Sequence, residues 1–455
     1  MIAILVGKEL RAHARTLRLT VALLLTVVLC VLAALLGSAE YSRNVRAYRA
    51  AVNERSEEMA QATVYSRLMP NVLVPPQPVQ VLARGRVGGA GQGFGVHPQS
   101  YYLGAYTIDG TQYDDLLHTL VQVDFAAVVA LLLGFLAVVL GFDAICGERE
   151  LGTLRLVLAN PVSRGQVLAA KLIGGALALW VPLALAFVAS LLVLQANPDI
   201  AFSGDDWVRL ALVFLVSCLF LAVVFSLSVL ISAWVRRSAT ALIVCLFGWL
   251  VLGTGYGNAL PATVRYSLDW PPWQEFVDQR QAEWERHEAA MDEWVRHNPA
   301  PPPAYLVGLQ NEGVRRYVHP RGIAWLERRA QHEFERTLET ADRVCRHRWA
   351  NQEVLARQQF LVDRWAVLSP FTGYQTVCRW LARSTLDDNF AVARYGIRYR
   401  EAYVAYLRGR FAAQGWRRSL PESLARALPG VLALLVMLAG SVALAAWRFS
   451  RYEVA

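Results

Sequence analysis

The sequence predicts an all-α polytopic membrane protein with six transmembrane helices and two exterior insertions, the second a mostly helical domain. The 455 residues are 55% hydrophobic and only 18% charged, whereas a soluble chain of this size is about one quarter charged. The apolar residues also form six long runs that carry almost no charge, and each can cross a ~30 Å hydrocarbon core as a helix. This composition excludes a soluble enzyme, a DNA-binding domain and a disordered chain.

Seven segments follow one another along the chain. They are an N-terminal amphipathic interfacial helix at 1–18, the first transmembrane helix at 19–36, a first exterior domain at 37–124, transmembrane helices two to five within 125–255 with a cytoplasmic segment at 143–166, a second exterior helical domain at 256–427, the sixth transmembrane helix at 428–447 and a cytoplasmic tail at 448–455. The two exterior segments are too long to be simple connectors, because loops beyond ~15 residues are usually functional or form domains.

The first apolar run could also be read as a signal peptide. Basic residues between Lys8 and Arg18 precede it, and Gly37-Ser38-Ala39 resembles a cleavage site. The run is about eighteen residues long, however, which exceeds the ~7 to 15 residues of a typical signal. We therefore predict a retained membrane anchor, with a cleaved signal peptide as the alternative.

Residues 210–255 are predicted as two spans and not one. Only Arg236-Arg237 interrupts these 46 residues. A single helix would be roughly 69 Å long and would leave both arginines in the bilayer at a cost of ~5 to 7 kcal/mol. A tight cytoplasmic hairpin at the two arginines avoids that cost.

The charge distribution predicts that both termini are cytoplasmic. With six alternating spans, one side of the membrane receives twelve Lys or Arg residues, in segments 1–18, 143–172, 235–238 and 448–455. The short loop 195–209 on the other side holds Arg209 against three aspartates. Cytoplasmic loops of membrane proteins carry the excess of basic residues.

The exterior segments hold polar helical patterns at 41–66, 274–297 and 321–368. The glycine run 84–95 lacks both G-x-G-x-x-G and Gly-Lys-Ser/Thr, so we interpret it as a flexible exterior loop and not as a phosphate-binding loop. Nine of the fourteen tryptophans lie in the second segment, where helix packing and interface anchoring explain them better than ligand stacking.

Cys345 and Cys378 are the two cysteines of the second exterior segment. In an oxidising compartment they could form a disulfide, and two buried free thiols are the alternative.

The sequence contains no recognisable enzyme motif. Gly-x-Ser-x-Gly, Ser-x-x-Lys, Cys-x-x-Cys and His-Glu-x-x-His are absent, and His332-Glu333 is followed by Arg336 where a second zinc ligand would stand. No metal site is therefore predicted. The apolar runs also lack a charge near their centres, which disfavours an ion-coupled transporter.

The most specific pattern follows the second span, at residues 147–164. It reads Gly-Glu-Arg-Glu-Leu-Gly-Thr-Leu-Arg-Leu-Val-Leu-Ala-Asn-Pro-Val-Ser-Arg, with Lys171 beyond it. Physically this predicts a short amphipathic helix with Leu151, Leu154 and Leu158 on one side, ended by Pro161. A solvated loop with chance amphipathicity is the alternative.

This string resembles the signature between the second and third spans of ABC-2 type ABC transporter permeases. In that family the segment forms coupling helices that rest on a partner ATPase, so the resemblance implies that 143–166 is a coupling segment. The coupling residues that it implies are Gly147, Glu148, Arg149, Glu150, Gly152, Thr153, Leu154, Pro161 and Arg164. The family's N-terminal amphipathic helix similarly matches residues 2–15.

The resemblance implies the permease subunit of an ATP-driven transporter in a bacterial inner (cytoplasmic) membrane. No Walker A motif occurs in the 455 residues, so ATP and Mg would be bound by a separate ABC ATPase subunit and no cofactor by this chain. The implied partners are that ATPase, a second permease subunit in a homo- or heterodimer, membrane lipid and a periplasmic partner, with no nucleic acid.

The large exterior insertions, which would be periplasmic, are similar to those of permeases that serve nitrous oxide reductase maturation and gliding motility. The expected work is export or conformational work on a periplasmic substrate or partner. A membrane-anchored scaffold or receptor without ATP coupling is the first alternative, and a polytopic membrane transferase is the second.

Overall fold

The computed structural model describes residues 2–61, 71–85, 92–95, 105–107, 124–159, 161–267, 273–302, 310–311, 314–315, 320–407 and 420–450. Within these residues six helices are long and apolar enough to cross a membrane, which confirms the predicted six-span fold class. Spans 1 to 6 are Leu17–Glu54, Phe125–Glu150, Arg164–Gln195, Gly204–Trp234, Ser238–Ser267 and Leu424–Trp447.

The helices, in chain order, are α1 (Ile2–Ala14), α2 (Leu17–Gln61), α3 (Phe125–Val128), α4 (Gly134–Gly141), α5 (Cys146–Glu150), α6 (Thr153–Leu158), α7 (Arg164–Gln195), α8 (Gly204–Trp234), α9 (Ser238–Trp249), α10 (Tyr256–Ser267), α11 (Trp273–His297), α12 (Pro320–Ala366), α13 (Pro370–Ala382), α14 (Leu386–Leu407) and α15 (Leu420–Ser450). Two π-helical segments, Val129–Leu133 and Leu250–Gly255, interrupt spans 2 and 5.

We name the two ends of the helix bundle by the residues that lie there. The motif end holds residues 143–166 and the turn 235–238 between α8 and α9. The insertion end holds the turn 196–203 between α7 and α8 and residues 75–85 and 379–385. Because α8 ends at Trp234 and α9 begins at Ser238, the predicted hairpin at Arg236-Arg237 is confirmed.

The first span continues into the polar helix that the sequence predicts after it. Together they form α2, a single helix of 45 residues, and residues 62–66 of the predicted polar helix lie outside the described residues. Gly37 does not break α2 and permits close packing, because a Cβ there would lie 2.5 Å from Val81 Cγ1. Next to it, the buried Ser38 hydroxyl accepts a hydrogen bond of 2.7 Å from Asn197 Nδ2.

Short strands accompany the helices. Asn71–Leu73 (β1), Gln92–Gly95 (β2) and Ala105–Thr107 (β3) form an antiparallel sheet in the order β1-β2-β3, and Gln310–Asn311 (β4) pairs with Val314–Arg315 (β5). The flexible-loop interpretation of 84–95 is therefore wrong at 92–95. These residues pair with two neighbouring strands, because a glycine has the same backbone N–H donor and C=O acceptor as other residues. Residues 86–91 lie outside the described residues.

α13 packs inside the bundle, although the sequence places 256–427 in an exterior domain. The Tyr374 ring stacks on Phe220 with centroids 4.5 Å apart, and its hydroxyl lies 2.9 Å from Ser217 Oγ. Phe220 is sixteen residues from the start of α8, which is about 24 Å along that helix. The sequence does not identify α13 as a helix of the bundle, because its 13 residues are fewer than the ~20 that a helix needs to cross a membrane.

α11 and α12 lie against each other outside the bundle, at the positions of the predicted polar helices. Arg343 Nε donates to Glu283 Oε2 at 2.7 Å across the pair, and Trp325 Nε1 donates to Asn298 O at 2.9 Å. Trp325 is buried and lies 6.3 Å from the Trp294 ring, so these two tryptophans serve packing, as expected.

No disulfide joins Cys345 to Cys378 in the structure. Cys378 is buried in α13 within the bundle core, whereas Cys345 is half-buried on α12. The physical reason is the placement of α13, which takes Cys378 out of the exterior domain where the sequence puts both thiols.

Candidate coupling site

The motif segment forms two short helices and not the single helix that the sequence predicts. α5 ends at Glu150 and α6 begins at Thr153, and Gly152 between them has a φ of 70°. This left-handed conformation carries no steric penalty only in glycine. As a result Leu151 is 79% exposed while Leu154 is buried, so these two leucines do not share a face as predicted. The side chain of Leu158 is not among those described.

The start of the segment is fixed to the end of span 4. The backbone N–H groups of Ile145 and Cys146 both donate to Ser232 Oγ, each at 3.0 Å. Ser232 is fully buried on α8, where no water can replace its hydroxyl. One serine therefore satisfies two backbone donors at the turn into α5.

We expect Ser232→Ala to lower the free energy of unfolding by about 2 to 4 kcal/mol, because it leaves two buried N–H groups without an acceptor at roughly 1 to 3 kcal/mol each. The measurement is denaturant unfolding of the purified chain in detergent micelles.

Thr26→Val is the matched control for Ser232→Ala, because the buried Thr26 hydroxyl donates only within its own helix, to Ala22 O at 2.6 Å. Its loss should change stability by less than about 1 kcal/mol. Equal stability losses in the two variants would contradict a special role for Ser232.

Lys171 joins three elements at the motif end. Its Nζ lies 2.8 Å from Glu148 Oε1 on α5 and 3.4 Å from Glu9 Oε1 on α1, and its side chain is only 5% exposed. Glu148 Oε2 is buried and has no hydrogen-bond partner among the described residues. The carboxylate of Glu148 is therefore turned into the bundle, towards its lysine.

His13 on α1 lies near this group. Burial lowers the pKa of its imidazole, an effect that Glu9 opposes and Lys171 reinforces. His13 is then neutral at pH 7, so it does not compete with Lys171 as a cation for Glu9.

The next two residues of the motif bind the turn between spans 4 and 5. Glu150 accepts hydrogen bonds from the Ser238 hydroxyl and from the Ser238 N–H at 3.1 Å. Arg149 Nη1 donates to Val235 O at 3.5 Å. Together with Ser232 and Lys171, these contacts attach α5 to spans 3, 4 and 5.

Glu148 and Arg149 of α5 are half-buried against these spans, whereas Glu150 is exposed although it accepts from Ser238. Leu156 is 70% exposed, close to the value for Leu151. We name as the exposed ridge the outward residues Glu150, Leu151, Gly152, Thr153, Arg155 and Leu156.

The structure divides the predicted coupling residues. Glu148 and Arg149 are half-buried against the spans, Leu154 is buried, and Gly147 is half-buried with Asp143 Cβ 3.2 Å from where its own Cβ would be. Pro161 is exposed, and Arg164 is half-buried at the start of α7, whose first turn Ser163 caps.

Sequence reasoning missed Glu9, Ser232 and Ser238. Glu9 was detectable in principle as the one acidic residue of positions 1–18. The two serines leave no signal in the sequence.

Comparisons with known proteins agree with this architecture. The family described as "ABC-2 family transporter protein" matches residues 3–454. A stretch of 69 residues is 38% identical to the probable ABC transporter permease protein NosY of Stutzerimonas stutzeri, and covers 15% of this chain and 25% of that protein. The protein of the same name from Pseudomonas aeruginosa is 40% identical over 70 residues, 15% of this chain and 26% of that relative. The match thus spans about a quarter of each relative's length.

Proposed function

The chain belongs to the ABC-2 family of transporter proteins, as the membrane subunit of an ABC transporter, and from that premise we propose that the exposed ridge receives the movement of a separately encoded ATPase. That partner binds ATP and Mg, and this chain takes no part in hydrolysis. The proposed result is export or conformational work on a periplasmic substrate or partner, in a membrane where both termini are cytoplasmic.

One observation carries the proposal: the ridge presents two leucines, 79% and 70% exposed, on a segment that Glu148 and Glu150 bond to spans 3 and 5. Burying such a side chain contributes about 1.5 to 3 kcal/mol. Apolar side chains that are exposed close to one another, with polar residues around them, are a feature of surfaces that another protein covers.

The attachments of α5 supply a route for the movement. A push on the ridge reaches span 3 through Lys171, span 4 through Ser232 and span 5 through Ser238. Ser217 of span 4 lies within hydrogen-bond distance of the Tyr374 hydroxyl on α13. At the insertion end, Arg209 of span 4 donates to the backbone oxygen of Leu381. A switch of these rigid elements between two packings would link the two ends of the bundle.

The proposed dimer partner and the lipid have surfaces available to them. Only 11% of the most apolar stretch of span 5 and 22% of the most apolar stretch of span 6 are buried against other described parts of the chain. We propose that a second permease subunit, identical or related, covers part of these faces and that lipid covers the rest.

The test is the double variant Leu151→Gln with Leu156→Gln. The tagged chain is purified with the ATPase that co-elutes, and ATP hydrolysis is measured in the eluate. We expect permease-dependent hydrolysis to fall at least about tenfold, because losing even half of the apolar contact of two leucines costs more than 1.4 kcal/mol. Gly152→Val should act in the same direction by straining the left-handed turn.

Ile323→Gln is the control for this test. Ile323 is an apolar residue that is 42% exposed, and it lies on α12, which is not part of the motif end. Its hydrolysis should equal that of the wild type. Wild-type hydrolysis in the double leucine variant would refute the ridge as the ATPase contact. Elution of the chain without any ATPase would favour the scaffold.

A further inference from the structure

A cavity of about 970 Å³ lies between α12, α13, α14 and the start of α15. Its size is at the upper end of the range for ligand pockets, which is about 300 to 1,000 Å³. None of the contacts of the coupling site lies in its wall, so the cavity is a separate feature of the chain.

One wall of the cavity is apolar and close-packed. Gly430 lets α15 approach α13, because a Cβ at this position would lie 2.3 Å from Val377 Cγ2. Val367 and Pro429 extend this wall, and Phe360, which is 61% exposed, stands at its edge. Such a wall suits a hydrocarbon chain.

The remaining lining is dominated by arginine. Arg364, Arg394 and Arg426 reach the cavity from three different helices, against the carboxylates of Glu353 and Asp363. Three cations against two anions leave a net positive charge. Planar guanidinium groups are suited to bidentate binding of phosphate or carboxylate.

Asp363 offsets part of the positive charge of these arginines, and Arg426 in turn favours its charged form. Burial raises the pKa of its carboxyl to about 6, although Gln359 donates to it at 2.7 Å. Asp363 is half-buried and Arg364 beside it is exposed, so the charged side of the cavity opens to the surface.

The depth of the lining residues matches the layers of a membrane leaflet. Arg426 is the third residue of span 6, at the end where a spanning helix is expected to meet the lipid head groups, and its guanidinium packs 5.2 Å from the Trp380 ring centroid. Gly430 lies four residues further along the same helix, about 6 Å deeper towards the hydrocarbon. The charged and apolar parts of the cavity therefore follow the polarity of one lipid molecule.

We propose that this cavity binds an anionic amphiphile, with its phosphate or carboxylate head at Arg364, Arg394 and Arg426 and its hydrocarbon chain against α13 and the start of span 6. The site does not depend on the proposed ATPase contact, because its lining lies on α12 to α15 and shares no residue with the exposed ridge.

The test measures ligand retention by native mass spectrometry on the purified full chain in detergent. The probes are phosphatidylglycerol and phosphatidylcholine with identical acyl chains, and dodecyl phosphate as a soluble single-chain amphiphile. We expect phosphatidylglycerol to bind at least about tenfold more tightly than phosphatidylcholine, since charge-assisted hydrogen bonds to its head group add that much affinity. Displacement of phosphatidylglycerol by dodecyl phosphate would show a site that also takes soluble amphiphiles. Its failure to displace the lipid would identify a membrane phospholipid as the occupant.

Two variants test the head and tail parts separately. Arg364→Gln with Arg426→Gln should abolish the preference for phosphatidylglycerol, while Arg296→Gln, at an exposed arginine of α11, should preserve it. Ala425→Trp should fill the cavity and reduce retention of both probes, while Ala439→Trp, further along α15 and outside the lining, should not. Equal retention of the two lipids by the wild type, or retention that neither cavity variant changes, would overturn the proposal.

Discussion

Lys171→Met is expected to lower the free energy of unfolding by about 3 to 5 kcal/mol, the usual cost of removing one partner from a buried ion pair. Methionine keeps much of the volume of the side chain and removes only its charge. The carboxylates of Glu148 and Glu9 are then left beside each other, 22% and 14% exposed, without their cation. Denaturant unfolding in detergent micelles measures the loss.

Lys8→Met is the matched control, because Lys8 is the one other lysine of the chain and also faces Glu9, at 3.9 Å. Its side chain is 54% exposed, so we expect a loss below about 1 kcal/mol. Adding Glu148→Gln to Lys171→Met should restore part of the stability, because one uncompensated carboxylate is removed. Equal stability of the two methionine variants would show that Lys171 is not the cation that holds this group together.

The same substitution should also disturb the proposed coupling. Lys171 bonds α5 to span 3, so without it the ridge loses this contact and keeps those to spans 4 and 5. ATP hydrolysis by the co-purified ATPase should fall in Lys171→Met and remain unchanged in Lys8→Met.

The apolar runs predict the spans because a membrane imposes one simple requirement, about 20 apolar residues per helix. The motif at 147–164 likewise locates in the chain the segment that forms α5 and α6. The break at Gly152 was not predictable, since periodicity reports which face is apolar and not the φ of one residue. The 13-residue α13 escaped detection for the related reason that a buried helix of this length leaves no distinctive pattern.

Long-range ion pairs could not be predicted from the sequence either. Lys171 and Glu9 are separated by 162 positions, and nothing in either local sequence indicates the other. Arg209 shows the same limit: the charge count assigned it to an exterior loop, whereas its side chain is 1% exposed on α8. Sequence patterns predict which segments meet the membrane, and packing between distant segments decides which charges are buried.

That buried arginine leads to the second large effect, expected at Asp205. Arg209 Nε lies 3.0 Å from Asp205 Oδ2, and Arg383 Nη2 donates to the same carboxylate oxygen. Asp205→Ala removes the anion that two guanidinium groups share. Because Arg209 cannot reach water, we expect a loss of about 3 to 5 kcal/mol. Asp205→Asn, which keeps an acceptor but not the charge, should lose most of the same amount.

Asp199→Ala is the control, since Asp199 lies in the turn that precedes α8 but pairs with Arg49, whose side chain is 63% exposed. This surface pair should contribute less than about 1 kcal/mol. Both variants are compared by unfolding in detergent micelles.

Hydrogen exchange of α13 should separate these variants further. Arg209 Nη1 donates to Leu381 O at 2.9 Å, so the Asp205–Arg209 pair holds the C-terminal end of α13 at the insertion end. In Asp205→Ala, residues 379–384 should exchange faster, while Asp199→Ala leaves them protected. If exchange and stability are the same in both variants, the anchoring of α13 must depend instead on the Phe220–Tyr374 ring packing deeper in the bundle.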